Sequence, residues 1–420
     1  MKLLLSFSLF VSTLAFGQNL HTLTTTAREA YKSKDYKKFY DDILAAHKLH
    51  PYHQGVLYQA GLAAALNDKP QEAITFLRKA IHINAQYDLT VADLASLQNM
   101  REFEELKTLQ ADLQRPIIRS DTAFVIRRKD LHIESIAPGE TKGVFYLGSI
   151  HKRKIIRADE KGSMEDFTTS AQDGLTSVFG VKVDGKPNVL WACASPMPEM
   201  ENFDSAARSA VFKYDLKTRK LLKKYMTPDK QDNAFGDITL NREGKPFISD
   251  SKTGTIFTID EASGQLVPYF RSDEFWSLQG IAFSSDEKYL FVADYVKGIF
   301  RLALADKSLL LLPVKFDQSV KSIDGLTFYN NQLVAIQNLV YPMRTTIYQL
   351  NKNQDELISY SIMDRGHPAF NEPTIGCIVG DDFYYVANSL WSGYTKERKL
   401  KPESELQEVV ILKTALKKLK

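Results

Sequence analysis

Six related segments fill most of the chain after residue 130, and this repetition limits the possible folds more than any other feature. Each segment opens with a short apolar strand pattern, and a second strand pattern follows in every copy. The openings begin at Glu134, Phe179, Gly236, Gln279, Asp324 and Pro373. Their spacing of about 44 to 56 residues is the length of a four-stranded propeller blade. The sequence therefore predicts an all-β six-bladed β-propeller over residues 119–420.

A further strand pattern, at residues 122–126, precedes the first of these segments. A propeller needs its first and last blades to be joined, and pairing between the two ends of the chain achieves this. The radial arrangement of the blades also leaves only short exposed strand edges, which limits unwanted pairing with strands of another chain. We therefore expect the strand at 122–126 to pair with strands from the far end of the chain.

The region before residue 115 has a different periodicity. From Thr22 to Gln114, apolar residues recur at helical spacing in a background rich in Ala, Leu, Lys and Glu. A pattern of small residues and tyrosines recurs after about 34 residues, and this period resembles that of tetratricopeptide repeats. The sequence predicts an N-terminal all-α helical-repeat, tetratricopeptide-like domain over residues 20–115, with a generic helical-hairpin domain as the alternative.

The first residues have the three parts of a secretory signal peptide. Lys2 supplies a positive charge, an apolar run over residues 3–14 follows, and small residues precede Gln18. We predict a signal peptide over residues 1–17 and an exported protein, periplasmic or secreted, with an uncleaved anchor as the alternative. No later charge-free apolar stretch approaches the roughly 20 residues of a membrane-spanning helix, so we expect no membrane span after cleavage.

Composition excludes several classes of protein. Lys and Arg total 54 against 51 for Asp and Glu, and a net charge of +3 gives no basic surplus for a nucleic-acid partner. Cys193 and Cys377 are the only cysteines, and each lies in an apolar strand pattern where we expect a buried free thiol. The sequence contains no HExxH, GxSxG or P-loop pattern, which removes the commoner zinc, serine-hydrolase and nucleotide-binding classes.

The blade openings resemble those of the regucalcin/gluconolactonase (senescence-marker-protein) family of propellers. The likeness spans about residues 130–415 and is carried by Glu134-Ser135-Ile136, Gln279-Gly280-Ile281-Ala282-Phe283 and Asp324-Gly325-Leu326. The resemblance implies that Glu134, Gln279 and Asp324 hold one divalent cation, usually calcium, at the channel mouth. It also implies that Asp324 is the catalytic base of a hydrolase acting on a sugar lactone or related ester.

Two positions depart from the family pattern. Gln279 stands where the family has asparagine, and its extra methylene moves the carbonyl oxygen relative to a cation. Gly236 stands where a second, substrate-facing asparagine is expected. These departures favour a second hypothesis, a non-enzymatic propeller that binds a ligand or a protein, with the helical repeats as an interaction module. Propellers host both classes, so the sequence leaves open whether the chain is an enzyme.

The channel geometry points to the same residues without the resemblance. The innermost strands of all blades begin at one end of the channel, so residues at the openings form a ring. The ring contains Glu134, Asp237, Gln279, Asp324 and Glu372. Carboxylates that converge there repel each other, and a bound cation or a shared proton relieves the repulsion.

Other polar and aromatic residues near the openings could contact a substrate. We predict that Asp237, Glu372 and Asn338 do so, with hydrogen bonding to neighbouring strand ends as the alternative. Trp391 and Tyr394 lie in the last long loop, where they either form a sugar-binding surface or pack on the blade. The sequence thus predicts a site at the channel mouth that is built from several blades.

We expect the mature protein to begin at Gln18, because small residues occupy the positions that signal peptidase reads before the cut. Mass spectrometry of the protein exported from a bacterial host measures this. An Ala15→Arg variant should accumulate as the precursor. A wild-type protein that keeps Met1 and remains in the membrane fraction would instead support the uncleaved anchor.

Overall fold

The computed structural model describes residues 7–184, 188–227 and 231–419, and the chain divides into two units, Met1–Arg115 and Pro116–Lys420. The predicted signal peptide lies partly outside the described residues, at 1–6. Its remaining residues belong to the first helix, which begins at Phe7.

The first unit is helical. Its helices are α1 (Phe7–Lys32), α2 (Tyr36–Leu49), α3 (Gln54–Ala65), α4 (Pro70–Ile83) and α5 (Arg101–Gln114), with a 3-10 helix at Ala92–Leu97. Helix α2 begins where the Asp35 side chain accepts a hydrogen bond from the Lys38 amide at 3.0 Å. The predicted helical region is confirmed, whereas its tetratricopeptide-like repeat identity is not confirmed. No helix within the described ranges combines the length and apolarity needed to span a membrane.

Small residues allow two of these helices to pack closely. A Cβ atom added at Gly61 in α3 would lie 2.6 Å from Cγ of Leu77 in α4. Ala60 and Ala64 of α3 and Ala73 of α4 are also fully buried. The short side chains therefore bring the two helices together, as their apolar periodicity predicts.

The second unit is a ring of six four-stranded antiparallel sheets. A first strand, β1 (Asp121–Ile126), precedes the first blade. The first two blades are β2 (Ile133–Pro138), β3 (Val144–Ser149), β4 (Lys154–Asp159) and β5 (Met164–Asp166), then β6 (Ser177–Asp184), β7 (Val189–Ser195), β8 (Ala210–Asp215) and β9 (Leu221–Tyr225). The third and fourth are β10 (Phe235–Leu240), β11 (Pro246–Asp250), β12 (Thr255–Asp260) and β13 (Gln265–Arg271), then β14 (Leu278–Phe283), β15 (Tyr289–Asp294), β16 (Gly298–Ala303) and β17 (Leu309–Leu311). The last two are β18 (Ile323–Tyr329), β19 (Gln332–Gln337), β20 (Arg344–Leu350) and β21 (Leu357–Arg365), then β22 (Gly376–Val379), β23 (Asp382–Val386) and β24 (Val409–Ala415).

The two ends of this unit close the ring. The sixth blade has the order β1-β24-β23-β22, so its outermost strand comes from the start of the unit. Strand β1 pairs antiparallel with β24 from Asp121 opposite Lys413 to Ile126 opposite Val409. The closure predicted for residues 122–126 is confirmed, and so is the six-bladed propeller.

The core consists of apolar layers between neighbouring blades. One layer joins the first and second blades through residues such as Tyr146 and Leu190, and another joins the sixth and first through Tyr384 and Phe145. Cys193 and Cys377 are buried and form no disulfide, as predicted. Each blade is therefore held mainly by its two neighbours.

Glycines near the starts of the inner strands let neighbouring blades meet through their backbones. A Cβ atom at Gly280 would lie 2.4 Å from the Leu326 amide nitrogen and 2.8 Å from the Asp324 carbonyl oxygen. A Cβ atom at Gly325 would lie 3.1 Å from Cα of Ile375. No side chain fits at Gly280 without moving the fifth blade away from the fourth.

We expect Gly280→Ala to lower the free energy of unfolding by at least about 2 kcal/mol, because the added methyl group meets rigid backbone. Gly236→Ala is the matched control. The Cβ atom added there would have one close contact, with the side-chain oxygen of Gln279 at 3.2 Å, and this flexible side chain can move. Urea denaturation measures both. Equal losses in the two variants would contradict the backbone contact as the cause.

Candidate functional site

A cavity of about 380 Å³ opens where the inner strands of the propeller begin. All six blades contribute to its wall. The lining residues are Glu134, Phe179, Met197, Ala234, Phe235, Gly236, Ser251, Gln279, Tyr295, Asp324, Asn338, Leu339, Glu372, Ile375 and Trp391. A concave site with a few converging polar groups on a rigid ring is a common setting for small-molecule binding.

The structure brings five of the six predicted site residues into this one cavity. They are Glu134, Gln279, Asp324, Asn338 and Glu372. Each comes from the start of an inner strand or from a loop at the same end of the propeller. Four of the five residues in the ring predicted from the blade openings thus line this cavity, and Asp237 does not.

Glu134 is buried and is held by the sixth blade. The Ser389 hydroxyl donates to its Oε2 at 2.5 Å, and the Trp391 indole donates to the same oxygen at 3.2 Å. Burial, together with the negative charge of Asp324, raises the pKa of Glu134 to about 8, against the opposing effect of these two hydrogen bonds. Without a compensating positive charge, the Glu134 carboxyl group is therefore largely protonated at neutral pH.

Asp324 lies half-buried in the cavity wall, at the end of a chain of hydrogen bonds. Tyr295 donates to Oδ1 of Asn338 at 2.6 Å, and Nδ2 of Asn338 donates to Oδ2 of Asp324 at 2.8 Å. Withdrawal from water raises the pKa of Asp324 to about 6, and the charge of Asp237 contributes, whereas the hydrogen bond from Asn338 lowers it. Asp324 is therefore mostly ionised at neutral pH, with its orientation fixed by Asn338.

Gln279 and Gly236 occupy complementary positions in the wall. The Gln279 amide donates to the Ser277 hydroxyl at 3.3 Å. Its carbonyl oxygen lies where a side chain at residue 236 would project, 3.2 Å from the position of a Cβ atom there. The two departures from the family pattern are thus physically linked, because the glycine leaves the space that the longer glutamine uses.

Glu372 has a buried carboxylate oxygen to which no described residue donates a hydrogen bond. Its Oε2 is enclosed and has no hydrogen-bond partner among the described residues. Burial raises the pKa of the Glu372 carboxyl group. The backbone at Glu372 is left-handed, with φ of 58°, which is unusual for a residue other than glycine. The free oxygen is thus available to a ligand in the cavity.

Asp237 does not line the cavity. Its carboxylate accepts a hydrogen bond from the Ile238 amide at 2.8 Å and one from the Ile281 amide at 3.3 Å. Burial raises the pKa of Asp237. Asp237 therefore links the third blade to the fourth by hydrogen bonds. This matches the alternative given above, in which Asp237 bonds to a neighbouring strand instead of contacting a substrate.

Sequence reasoning overlooked several supporting residues. Tyr295 directly follows β15 and Ser389 lies three residues after the end of β23, and no pattern distinguishes them from turn residues. Trp391 lines the cavity, whereas Tyr394 packs behind it and hydrogen-bonds Nδ1 of the buried His132 at 2.8 Å. Of the two loop aromatics, only Trp391 is thus placed where it could contact a ligand in the cavity.

The donor atoms of the cavity suit a hard cation. The carboxylates of Glu134 and Asp324 and the carbonyl of Gln279 are oxygen ligands, the kind that calcium and magnesium prefer. Among the residues that the structure describes, the lining contains no Lys, Arg or His. Within the described ranges, however, no three His, Cys, Asp or Glu residues converge as a metal-binding group. A cation here would thus depend on two carboxylates, neutral oxygens and water.

No protein-family model matches the chain, and no curated protein matches it. Similar solved structures include a gluconolactonase from Xanthomonas campestris, with 13% identity over 69% of this chain and 88% of that chain and a TM-score of 0.49. The PQQ-bound aldose sugar dehydrogenase from Streptomyces coelicolor shows 12% identity over 71% and 99%, with a TM-score of 0.49. A luciferin-regenerating enzyme shows 13% identity over 72% and 96%, with a TM-score of 0.48. These matches concern the fold, and the function of this chain is inferred from its own site.

We expect the metal-free protein to lose stability as the pH rises from about 5 to about 9. The pKa of Glu134 is about 8 in the folded protein and about 4.5 in the unfolded chain. Between these two values the folded state keeps a proton that the unfolded state has lost, so a rising pH favours unfolding. Glu134→Gln should be more stable than the wild type at the upper end by on the order of 3 kcal/mol. Thermal unfolding with a chelator at each pH measures this.

The matched control is Glu397→Gln, which removes an exposed loop carboxylate. Its pH dependence should follow that of the wild type. If Glu134→Gln also keeps the wild-type pH dependence, Glu134 does not carry the buried proton.

Proposed function

We propose that the cavity is the active site of a hydrolase that acts on a sugar lactone or a related ester. One divalent cation, with calcium as the first candidate, would be held by Glu134, Asp324 and the carbonyl oxygen of Gln279. The observation that carries the proposal is the enclosed carboxylate pair of Glu134 and Asp324 on different blades, in which the charge of Asp324 raises the pKa of Glu134. A bound cation relieves this repulsion.

A bound divalent cation polarises a substrate carbonyl and lowers the pKa of a coordinated water. Asp324, with a pKa of about 6, is ionised at neutral pH and accepts a proton from the attacking water. The water oxygen bonds to the carbonyl carbon, the ester carbon–oxygen bond then breaks, and the proton passes to the departing alkoxide. The product is a hydroxy acid, or an acid and an alcohol.

The other wall residues position the substrate. Asn338 keeps Asp324 in one orientation, and Tyr295 fixes the amide of Asn338 in turn. The free Oε2 of Glu372 can accept a hydrogen bond from a substrate hydroxyl group. The Trp391 ring offers an apolar surface for the carbon–hydrogen face of a sugar. These groups supply the orientation that the reaction needs.

The charge of the wall favours one alternative. The described lining residues include no Lys, Arg or His, so without a cation none of them would supply a positive charge to stabilise the anion that forms during hydrolysis. In that case the cavity would bind a neutral or positively charged ligand without reaction. The helical unit would then serve as a docking surface for a protein partner, as its proposed tetratricopeptide-like repeats would allow.

We also propose that the protein acts after export, in the periplasm or outside the cell. The support is the order of charge, apolar run and small residues over residues 1–17. The proposed mature protein from Gln18 is therefore the appropriate material for functional tests.

Calorimetric titration of the mature protein with calcium and with manganese tests the cation site. We expect about one equivalent to bind, and Glu134→Gln and Asp324→Asn to weaken binding at least about 100-fold. Glu199→Gln is the matched control, because Glu199 is a buried carboxylate that pairs with Arg398 outside the cavity lining. It should bind the cation as the wild type does.

Release of protons from aldonic δ-lactones and simple aryl esters then tests catalysis. We expect kcat/KM to fall at low pH, where Asp324 is protonated, and the bound cation should place this fall below the pKa of about 6 that the metal-free carboxyl group has. Cation binding without hydrolysis would favour the ligand-binding alternative. Absence of both cation binding and hydrolysis in the wild type would reject the proposed hydrolase.

A further inference from the structure

A second cavity lies at the other end of the fifth blade, where β18 ends and β19 begins. Its volume is about 470 Å³, and it shares no lining residue with the first cavity. We call it the fifth-blade groove, defined by Tyr329, Asn330, Gln332, Ile347, Gln349, Ser359, Tyr360, Ser361, Leu416 and Lys417. The proposed hydrolase makes no use of it.

Uncharged hydrogen-bonding groups dominate the groove. Nε2 of Gln332 donates to Oε1 of Gln349 at 3.0 Å, and Nε2 of Gln349 donates to the Leu350 carbonyl at 3.0 Å. These two hydrogen bonds fix the side-chain amides of Gln332 and Gln349. The side-chain carbonyl oxygen of Gln332 has no donor among the described residues. Ser359 and Ser361 add hydroxyl groups that bond no described side chain. The groove thus presents oriented but unused donors and acceptors.

The groove has little net charge to offer a ligand. Lys417 is the only charged residue among the described residues of its lining. The Lys417 ammonium group pairs with Asp381 at 2.5 Å, and the Tyr329 hydroxyl donates to Asp381 at 2.6 Å. Because the lysine charge is already matched, an anionic ligand would gain little from this groove.

Apolar surface accompanies these polar groups. The Tyr360 ring is 37% exposed and is held against Phe316 with ring centroids 4.9 Å apart. Ile347 and Leu416 contribute aliphatic surface to the same groove. A sugar presents apolar carbon–hydrogen faces and many neutral hydroxyl groups. Its faces can pack on such a ring while its hydroxyls bond to fixed amides.

The strand beside the groove is poorly suited to a peptide. The edge of β21 is already occupied at both ends, since the Lys315 amide donates to the Leu357 carbonyl at 3.0 Å and Ile117 and Arg365 exchange two hydrogen bonds at 2.9 and 2.8 Å. Only the middle of this strand could pair with an added strand. The neutral side chains, rather than the strand edge, are therefore the available recognition surface.

We propose that the fifth-blade groove binds a neutral oligosaccharide, independently of the reaction in the first cavity. The amides of Gln332 and Gln349 and the two serines would bond the sugar hydroxyls, and Tyr360 would pack on a sugar ring. Such a groove would hold the protein on a glycan while the channel mouth stays free.

Calorimetry and proton NMR with cellohexaose, maltohexaose, xylohexaose and hexa-N-acetylchitohexaose test this on the full mature chain. We expect at least one of these sugars to bind with a Kd of about 1 mM or tighter. Gln332→Ala and Tyr360→Ala should each weaken binding at least about tenfold. The matched controls are Gln265→Ala and Tyr269→Ala on the outer strand β13 of the third blade, which should bind as the wild type does.

Thermal unfolding verifies that each variant is folded. The failure of all four sugars to bind would overturn the proposal, as would binding that survives both groove substitutions. A Glu372→Gln variant of the first cavity separates the two sites, and it should leave this binding unchanged. Loss of sugar binding in that variant would place the sugar in the first cavity and overturn the groove proposal.

Discussion

The direct contact between the backbones of neighbouring inner strands is the constraint on which the propeller and its channel mouth depend. Gly280 meets the backbone of Asp324 and Leu326, and Gly325 meets that of Ile375. These contacts fix the spacing of the fourth, fifth and sixth blades at the level of the main chain. The side chains that begin the strands are thus placed by rigid elements, which gives a site greater precision than flexible loops would.

Closure of the ring matters to the site as well as to the fold. Ser389 and Trp391, which hold the carboxyl group of Glu134, lie between β23 and β24. Strand β24 is fixed in turn by β1 from the start of the unit. The enclosed carboxyl group of the first blade is therefore stabilised by the contacts that join the two ends of the propeller. Energy gained in closure offsets the cost of enclosing an acid.

The sequence reveals the propeller because every blade repeats the same strand pattern. The residues at the blade openings identify four members of the cavity wall, and Asn338, which follows β19, is a fifth. The sequence misplaces Asp237 for a reason of register. Asp324 and Gln279 precede the glycine of their blade opening, whereas Asp237 follows Gly236. A shift of one residue along a strand turns a side chain to the opposite face, so Asp237 points to the fourth blade rather than to the cavity. Partners such as Tyr295 become visible only when distant loops are brought together.

The complementary fit of Gly236 and Gln279 has a consequence for how this site can change over generations. A larger residue at position 236 would meet the carbonyl oxygen of Gln279, which lies 3.2 Å from where its Cβ atom would stand. A shorter residue at position 279 would remove that obstacle and leave a gap beside the glycine. An alanine at 236 requires only a small shift of the flexible Gln279 side chain, whereas a longer side chain there would compete with Gln279 for the same space. The two positions are therefore coupled, and the size of side chain that one of them tolerates depends on the residue at the other.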